Sequence, residues 1–276
     1  MAFEVAPAYE ISLADQAKIF TDSFAGYLIG SITMDASGLA RFLCAQDVDL
    51  YYSRFVRAAA GDLAGFGYVN RTGNVSRLAA MGTVPAARRS GAANFLLSQL
   101  LDEAKTRGDE MMVLECFEQN APALALYRRH EFEEIGRLFG WRGQGDGANS
   151  HSSEVRELSL LKATEMPSPS DYPELPWQIS RFAIAKIPGA RAFGLGDTCV
   201  VIGSPESSPI RIQAFRGYSP YDWNPLRNLL RAVLAKFPER EFFAPQIFPE
   251  QFGTEIFEPL RFKREPLNQF LMRREP

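Results

Sequence analysis

Residues 81–101 read MGTVPAARRSGAANFLLSQLL. The stretch passes from a strand, through a basic turn of small residues, into the start of a helix. The strand, predicted over 76–84, stops at Pro85 because proline cannot extend a β ladder. Residues 91–107 are amphipathic, with Phe95, Leu96, Leu100, Leu101 and Ala104 on one face and Gly108 closing the helix. A helix start presents N–H groups without intrahelical partners, under positive dipole potential. The amides of Arg89, Ser90, Gly91, Ala92 and Ala93 are therefore suited to a diphosphate. Gly91, Ala92 and Ala93 keep bulk away from the backbone, and Arg88 and Arg89 add charge-assisted hydrogen bonds. Taken alone, such a turn reads equally well as a solvated connection, since short Gly/Arg patterns recur by chance. No Gly-Lys-Ser/Thr follows Gly91, which argues against a nucleoside triphosphatase.

Upstream, residues 14–24 and Ala36–Ala45 carry apolar residues at helical spacing, and Asp35 is a good N-cap for the second helix. Residues 52–59 and 63–69 alternate as strands and form a hairpin about Gly61-Asp62. Downstream, Met111–Phe117 is apolar on both sides, as a buried parallel strand should be. Ala121–Arg129 is a short helix with Pro122 in its first turn. Residues 132–141 and 155–162 read as strands around a Gly/Ser-rich loop at 143–153. The order predicts an α/β protein with a mixed sheet.

The sequence has 276 residues, 46% of them hydrophobic, enough for a substantial core and more often two domains than one. The segment 164–176 holds four prolines within MPSPSDYPELP and reads as a linker between domains at 1–163 and 177–276. Beyond it, strands are predicted at Thr198–Ile202, Ile210–Arg216, 241–245 and 267–273, with a helix at 226–237 and a short element at 252–259. EPLRFKREPLNQFLMRRE at 258–275 sits where RHEFEEIGRLFGW at 129–141 sits in the first half, which suggests a diverged internal duplication.

The net charge is −3, from 30 basic and 33 acidic residues, with no excess suited to nucleic acid or an anionic membrane. No apolar run is long enough to cross a bilayer, and MAFEVAPAYEISLAD lacks the pattern of a secretory leader. Cys44, Cys116 and Cys199 are scattered and odd in number, which predicts free thiols in a reducing, cytoplasmic compartment. Two histidines, His130 and His151, are too few for a His-based metal site, so no metal is expected.

A second motif lies downstream of the first. Asn120, Ala123, Leu126, Tyr127 and Phe132 fill the pattern Asn-x-x-Ala-x-x-Leu-Tyr with Phe five residues on. With Arg88-x-x-Gly91-x-Ala93 and the preceding Pro85, the sequence from Ile11 to Lys162 resembles the GNAT N-acetyltransferase superfamily. It departs from that pattern at Glu131, where the family usually has glycine.

The resemblance implies a GNAT-like fold and acetyl-CoA as cosubstrate. The pantetheine arm would pair with the backbone of Met81, Gly82 and Thr83 in a cleft between the third strand and its parallel neighbour. It further implies that Asn120 bonds the CoA arm, that Tyr127 is the general acid, and that an amine is the acceptor. Asn120 also reads as a helix N-cap, and Tyr127 as a core tyrosine. Glu115 matches the glutamate proposed as base in ribosomal-protein N-terminal acetyltransferases, with Glu118 behind it. A glutamate in an apolar strand needs a reason, and structural pairing with an arginine is the other one.

The second half lacks the equipment. RGYSPYDWNPLRNLL at 216–230 has no Gly-x-Gly/Ala, Pro220 and Pro225 each remove an amide, and Tyr221 and Trp223 are expected to fill the space of a diphosphate. It reads as a partial, degenerate GNAT-like domain, open to roles in support, acceptor shaping or dimerisation. Two other functions fit the same motifs: a non-catalytic acyl-CoA-binding module, and an acyltransferase using a longer acyl group.

Overall fold

The computed structural model describes residues 3–145, 154–168 and 175–276. Residues 146–153 of the Gly/Ser-rich loop, His151 among them, and residues 169–174 of the Pro-rich segment lie outside that description. The chain divides into two compact units, 1–134 with 272–276, and 135–271.

In the first unit, five strands run in the order β1 (Phe3–Pro7), β2 (Asp49–Ala58), β3 (Leu63–Thr72), β4 (Val75–Thr83), β5 (Met111–Phe117). The first four are antiparallel neighbours, and β5 is parallel to β4. Helices α1 (Leu13–Ser23) and α2 (Ala36–Ala45) cover one face. Phe20 of α1 stacks on Phe66 of β3 at 5.3 Å, and the Tyr68 hydroxyl donates to Gln16 at 2.9 Å. Asp35 caps α2 as predicted, its carboxylate accepting the Gly38 amide at 2.6 Å. Helix α3 (Ala92–Thr106) lies on the other face, with Leu96 and Leu100 over Gly67 of β3. Helix α4 (Ala121–Arg129) comes after β5.

The second unit is built from β6 (Glu133–Gln144), β7 (Arg156–Leu158), β8 (Arg191–Leu195), β9 (Thr198–Ile202), β10 (Ile210–Arg216), β11 (Glu241–Pro249) and β12 (Lys263–Arg274). Their order is β12-β6-β11-β10-β9-β8-β7. Helices α5 (Leu160–Glu165), α6 (Arg181–Ile184) and α7 (Asn224–Lys236) accompany them, and a helical stretch from α8 (Glu250–Phe252) continues to 260. The core is aromatic, with Trp141 stacked on Phe257 at 4.9 Å.

Several elements differ from the sequence reading. Strand β1 was not foreseen, nor were β8 and α6. Residues 155–162 are not one strand: β7 ends at Leu158, and the Ser159 hydroxyl accepts the Lys162 amide at 3.1 Å to start α5. A short apolar run with a Ser cap inside it satisfies both periods, and the cap decides. The compact units part between Glu134 and Ile135, ahead of the linker. Strand β6 pairs with β11, from Glu241↔Gln144 to Pro249↔Leu138, and so clusters with the later strands of the chain.

Candidate functional site

The site begins with a change of register. Leu78 pairs with Val69, but Ala80 pairs with Tyr68, so Ala79 is an extra residue in β4. Such a bulge bends the strand and increases its twist. The ladder from β4 to β5 runs from Val75↔Met111 to Leu78↔Leu114 and stops there. Beyond it both strands continue, β4 to Thr83 and β5 to Phe117, and they diverge. From Ala79 to Thr83 β4 is half-exposed, with one edge on β3 and the other open. Met81, Gly82 and Thr83 lie on this segment, where an extended ligand could add as a strand.

On the β4 side the opening leads to the turn before α3. Arg89 is left-handed at φ 61°, and Gly91, the N-cap residue, at φ 95°. The first helical bond runs from the Phe95 amide to the Gly91 carbonyl, at 2.9 Å. The amides of Ala92, Ala93 and Asn94 precede the ladder, and of these Ala92 has a long contact with the Ser90 hydroxyl at 3.4 Å. A side chain at Gly91 would meet only the Phe3 ring, at 3.9 Å, so the backbone is open to approach. Arg88 donates to the Ser23 carbonyl at 3.2 Å, which ties the turn to the end of α1. The hydroxyl of Ser23 is buried without a hydrogen-bond partner among the described residues, beside Gly82 of β4. Orphan amides, an open edge and an unpaired hydroxyl fit a polar, phosphate-bearing ligand.

On the β5 side lies α4. Asn120 caps it, accepting the Ala123 amide at 3.4 Å. Glu131 has φ 62°, and the Phe132 amide closes on the Tyr127 carbonyl at 3.0 Å. That left-handed position explains why glycine serves there in the family's pattern. Tyr127 is 8% exposed, against Phe132 at 5.8 Å. Burial pushes its pKa well above the usual range, with Cys116 and Tyr27 adding to the push, so the phenol stays protonated. Its hydroxyl has no hydrogen-bond partner among the described residues. At the C-terminal end of α4, His130 bonds Asn94 of α3 at 3.0 Å. Burial lowers the His130 pKa, as do Arg274 and Arg129.

Adjacent residues of β5 face opposite ways. Cys116 is an electrostatic neighbour of Tyr127, and burial pushes its thiol up to about 12. Glu115 faces the α2 side, where both its oxygens accept from Arg77 of β4, at 2.7 to 3.2 Å. Each side chain of the pair is 4% exposed, and Arg77 also donates to Gln46 at 3.1 Å. The structure thus supplies the arginine that the sequence reading weighed against the base. Arg77, Ser23 and Asn94 were not singled out in the sequence. An arginine inside a strand was a signal for the first, and nothing marked the others.

In the second unit, β10 and β11 are also parallel and also part, pairing only at Ile210↔Phe242 and Arg211↔Phe243. Rings fill the space beyond: Phe215 lies 5.8 Å from Phe248 and 5.6 Å from Phe252. Trp223, the N-cap residue of α7, packs on Phe252 at 5.0 Å as expected, but Tyr221 is 96% exposed and fills nothing.

A strand pair opened by a bulge, a turn rich in unpaired amides and a short capped helix together frame an opening suited to an extended, phosphate-bearing ligand. Residues 20–132 match the family model of the Acetyltransferase (GNAT) family, and this stretch is a GNAT acetyltransferase domain. Three solved structures share the fold across 99% of the chain. A GCN5-related N-acetyltransferase from Kribbella flavida matches at 14% identity and TM-score 0.67, over 71% of its own length. One from Anabaena variabilis matches at 16% and 0.65 over 73%, and one from Sphaerobacter thermophilus at 11% and 0.63 over 95%. No curated protein matches the chain in sequence.

Proposed function

We propose that the first unit is an acetyl-CoA-dependent N-acetyltransferase acting on a primary amine by direct attack in a ternary complex. The observation that carries this is the opening between β4 and β5, flanked by the free amides of α3 and by the buried phenol of Tyr127. In this reading acetyl-CoA supplies an activated thioester. The amides from Arg89 to Ala93, with Arg88, hold its diphosphate. Met81, Gly82 and Thr83 pair with the arm, and Asn120 donates to it.

Holding thioester and amine together supplies much of the rate. An alkylamine has a pKa of about 10.4 and must shed a proton before it attacks. The N–C bond forms, the C–S bond breaks with its electron pair on sulfur, and Tyr127 gives sulfur a proton. Tyr127 suits this because burial keeps it protonated through neutral pH. Glu115 enters as base with a condition: Arg77 holds both its oxygens, so proton uptake requires one contact to open or a bridging water.

The division read from the sequence, a catalytic domain over 1–163, a linker over 164–176 and a degenerate GNAT-like domain over 177–276, stays a proposal, with the proposed site wholly within the first compact unit, 1–134 with 272–276. The aromatic filling of the second opening supports a second half that takes no CoA. A cytoplasmic location accords with the three free thiols. The test is release of free thiol from acetyl-CoA against a panel of peptide, polyamine and small-amine acceptors. Amine-dependent release is the expected result. Tight CoA binding with no release for any amine would replace the enzyme with a binding module.

A further inference from the structure

The two helices beside the opening meet through a polar contact. His130, the C-cap residue of α4, has its Nε2 3.0 Å from Oδ1 of Asn94, in the first turn of α3. The amide oxygen of an asparagine can only accept, so the imidazole donates, with its proton on Nε2. Both N–H donors of the Asn94 side chain are left without a partner among the described residues. The donor starts from a fixed end. The His130 amide donates to the carbonyls of Leu126 and Tyr127 at 3.2 and 3.0 Å, the Glu131 amide to Arg128 at 3.0 Å, and the amide of buried Phe132 to Tyr127 at 3.0 Å. Glu131, which stands where the family's pattern has glycine, turns its carboxylate to Arg274 at 3.4 Å, within the same compact unit.

Asn94 is placed to use those donors. In a helix every Cα–Cβ bond tilts towards the N-terminus, so a side chain of the first turn leans over the amides of that turn. Here these are the amides of Ala92, Ala93 and Asn94 itself, which precede the first helical bond from Phe95 to Gly91. With its oxygen held by His130, the plane of the Asn94 amide is set. A second mark of a ligand lies beside Gly82, on the edge that leads to this turn. There the Ser23 hydroxyl, on a residue 8% exposed, has no partner among the described residues.

We infer that Asn94 is a further binding residue, whose side-chain nitrogen donates to the coenzyme diphosphate, and that His130 is the positioning residue that aims it. The inference rests on the acyl-CoA reading above. A donor that is already held loses little side-chain freedom when the ligand arrives, and this is what His130 contributes.

Asn94→Ala removes the donors and leaves a good helix former in place. His130→Leu removes the tether, and His130→Gln returns an N–H donor near the position of Nε2. Calorimetry with CoA is run on these variants and on the double variant Asn94→Ala with His130→Leu. Asn94→Ala should bind CoA about tenfold more weakly, the loss of one hydrogen bond to a charged group. His130→Leu should bind about threefold more weakly, from the freedom regained by Asn94. The double variant should bind no more weakly than Asn94→Ala alone, because His130 acts through Asn94. His130→Gln should recover most of the affinity. Wild-type affinity in Asn94→Ala would overturn the contact. Losses that add in the double variant, wild-type affinity in His130→Leu, or no recovery in His130→Gln would overturn the positioning role. Absence of CoA binding to the wild-type protein would overturn the acyl-CoA reading and this inference with it.

Discussion

Two pairs of parallel strands separate along their length, β4 from β5 and β10 from β11. The first opening is walled by half-exposed backbone and ends at a helix whose N-cap is a left-handed glycine. The second is packed with Phe215, Phe248 and Phe252, and ends at a helix whose N-cap is Trp223 with proline behind it. Backbone divergence makes room, and the side chains decide whether the room is a ligand's or a core's. Where large rings meet across the gap, burial of apolar area closes it. Where small residues and orphan amides line it, closure would strand polar groups, and the gap stays available.

The sharpest way to break this contrast is Gly91→Glu. A carboxylate at a φ of 95° is strained and repels a diphosphate. CoA affinity should fall by about a thousandfold, roughly 4 kcal/mol, in calorimetry, with the circular dichroism retained. The intact protein should bind one CoA per chain, and a second site beside Trp223 would erase the distinction between the openings.

In the second opening, Phe252→Ala should cost about 3–5 kcal/mol in denaturant unfolding while CoA affinity stays that of wild type. A loss of CoA binding in the folded variant would show that the filled opening also serves the ligand.

Glu115→Gln leaves Arg77 buried beside a neutral partner and should cost about 3 kcal/mol. Arg77→Met with Glu115→Leu should recover much of that stability. If Glu115 takes the amine's proton, neither variant is fast near neutral pH, and Glu115→Gln recovers as pH rises and free amine accumulates. A pH-independent rate loss leaves Glu115 a structural charge.

Tyr127→Phe should lower kcat by about a hundredfold with little change in acetyl-CoA affinity, because the hydroxyl is needed chiefly as the thiolate forms. A wild-type kcat would return Tyr127 to the core.

The last effect is on alkaline stability and shows only above pH 9. Cys116 titrates near 9.0 when unperturbed and at about 12 in the fold, so its buried neutral form contributes stability fully below pH 9. As pH rises from 9 towards 12 the unfolded thiol ionises first, and that contribution is lost, at most about 1.4 kcal/mol per pH unit. Cys116→Ala should flatten this part of the stability profile, with Cys199 and the buried tyrosines carrying the remainder.

The fold of the first unit was legible because its elements are marked by chemistry: Asp35 and Asn120 as caps, Pro85 as a stop, Gly91 as a turn. Ala36–Ala45, Met111–Phe117 and Ala121–Arg129 lie where the pattern put them. The features that stayed hidden lack a local mark. The extra residue Ala79 looks like any alanine in LAA, and its consequence shows only against the register of two neighbours. Glu115 was visible as an anomaly, and its partner Arg77 became evident once β4 and β5 were side by side. Short strands such as β1 and β8 have too few residues for alternation to register.

The bulge at Ala79 bears on how the protein behaves in a tube. From Ala79 to Thr83 β4 pairs with β3 on one side and has left β5 on the other, the kind of border that invites a neighbouring polypeptide to dock. Concentrated ligand-free solutions should therefore self-associate more readily than ones saturated with CoA. A bound arm would act on shelf life and solubility as a plug, by occupying the border before another molecule can.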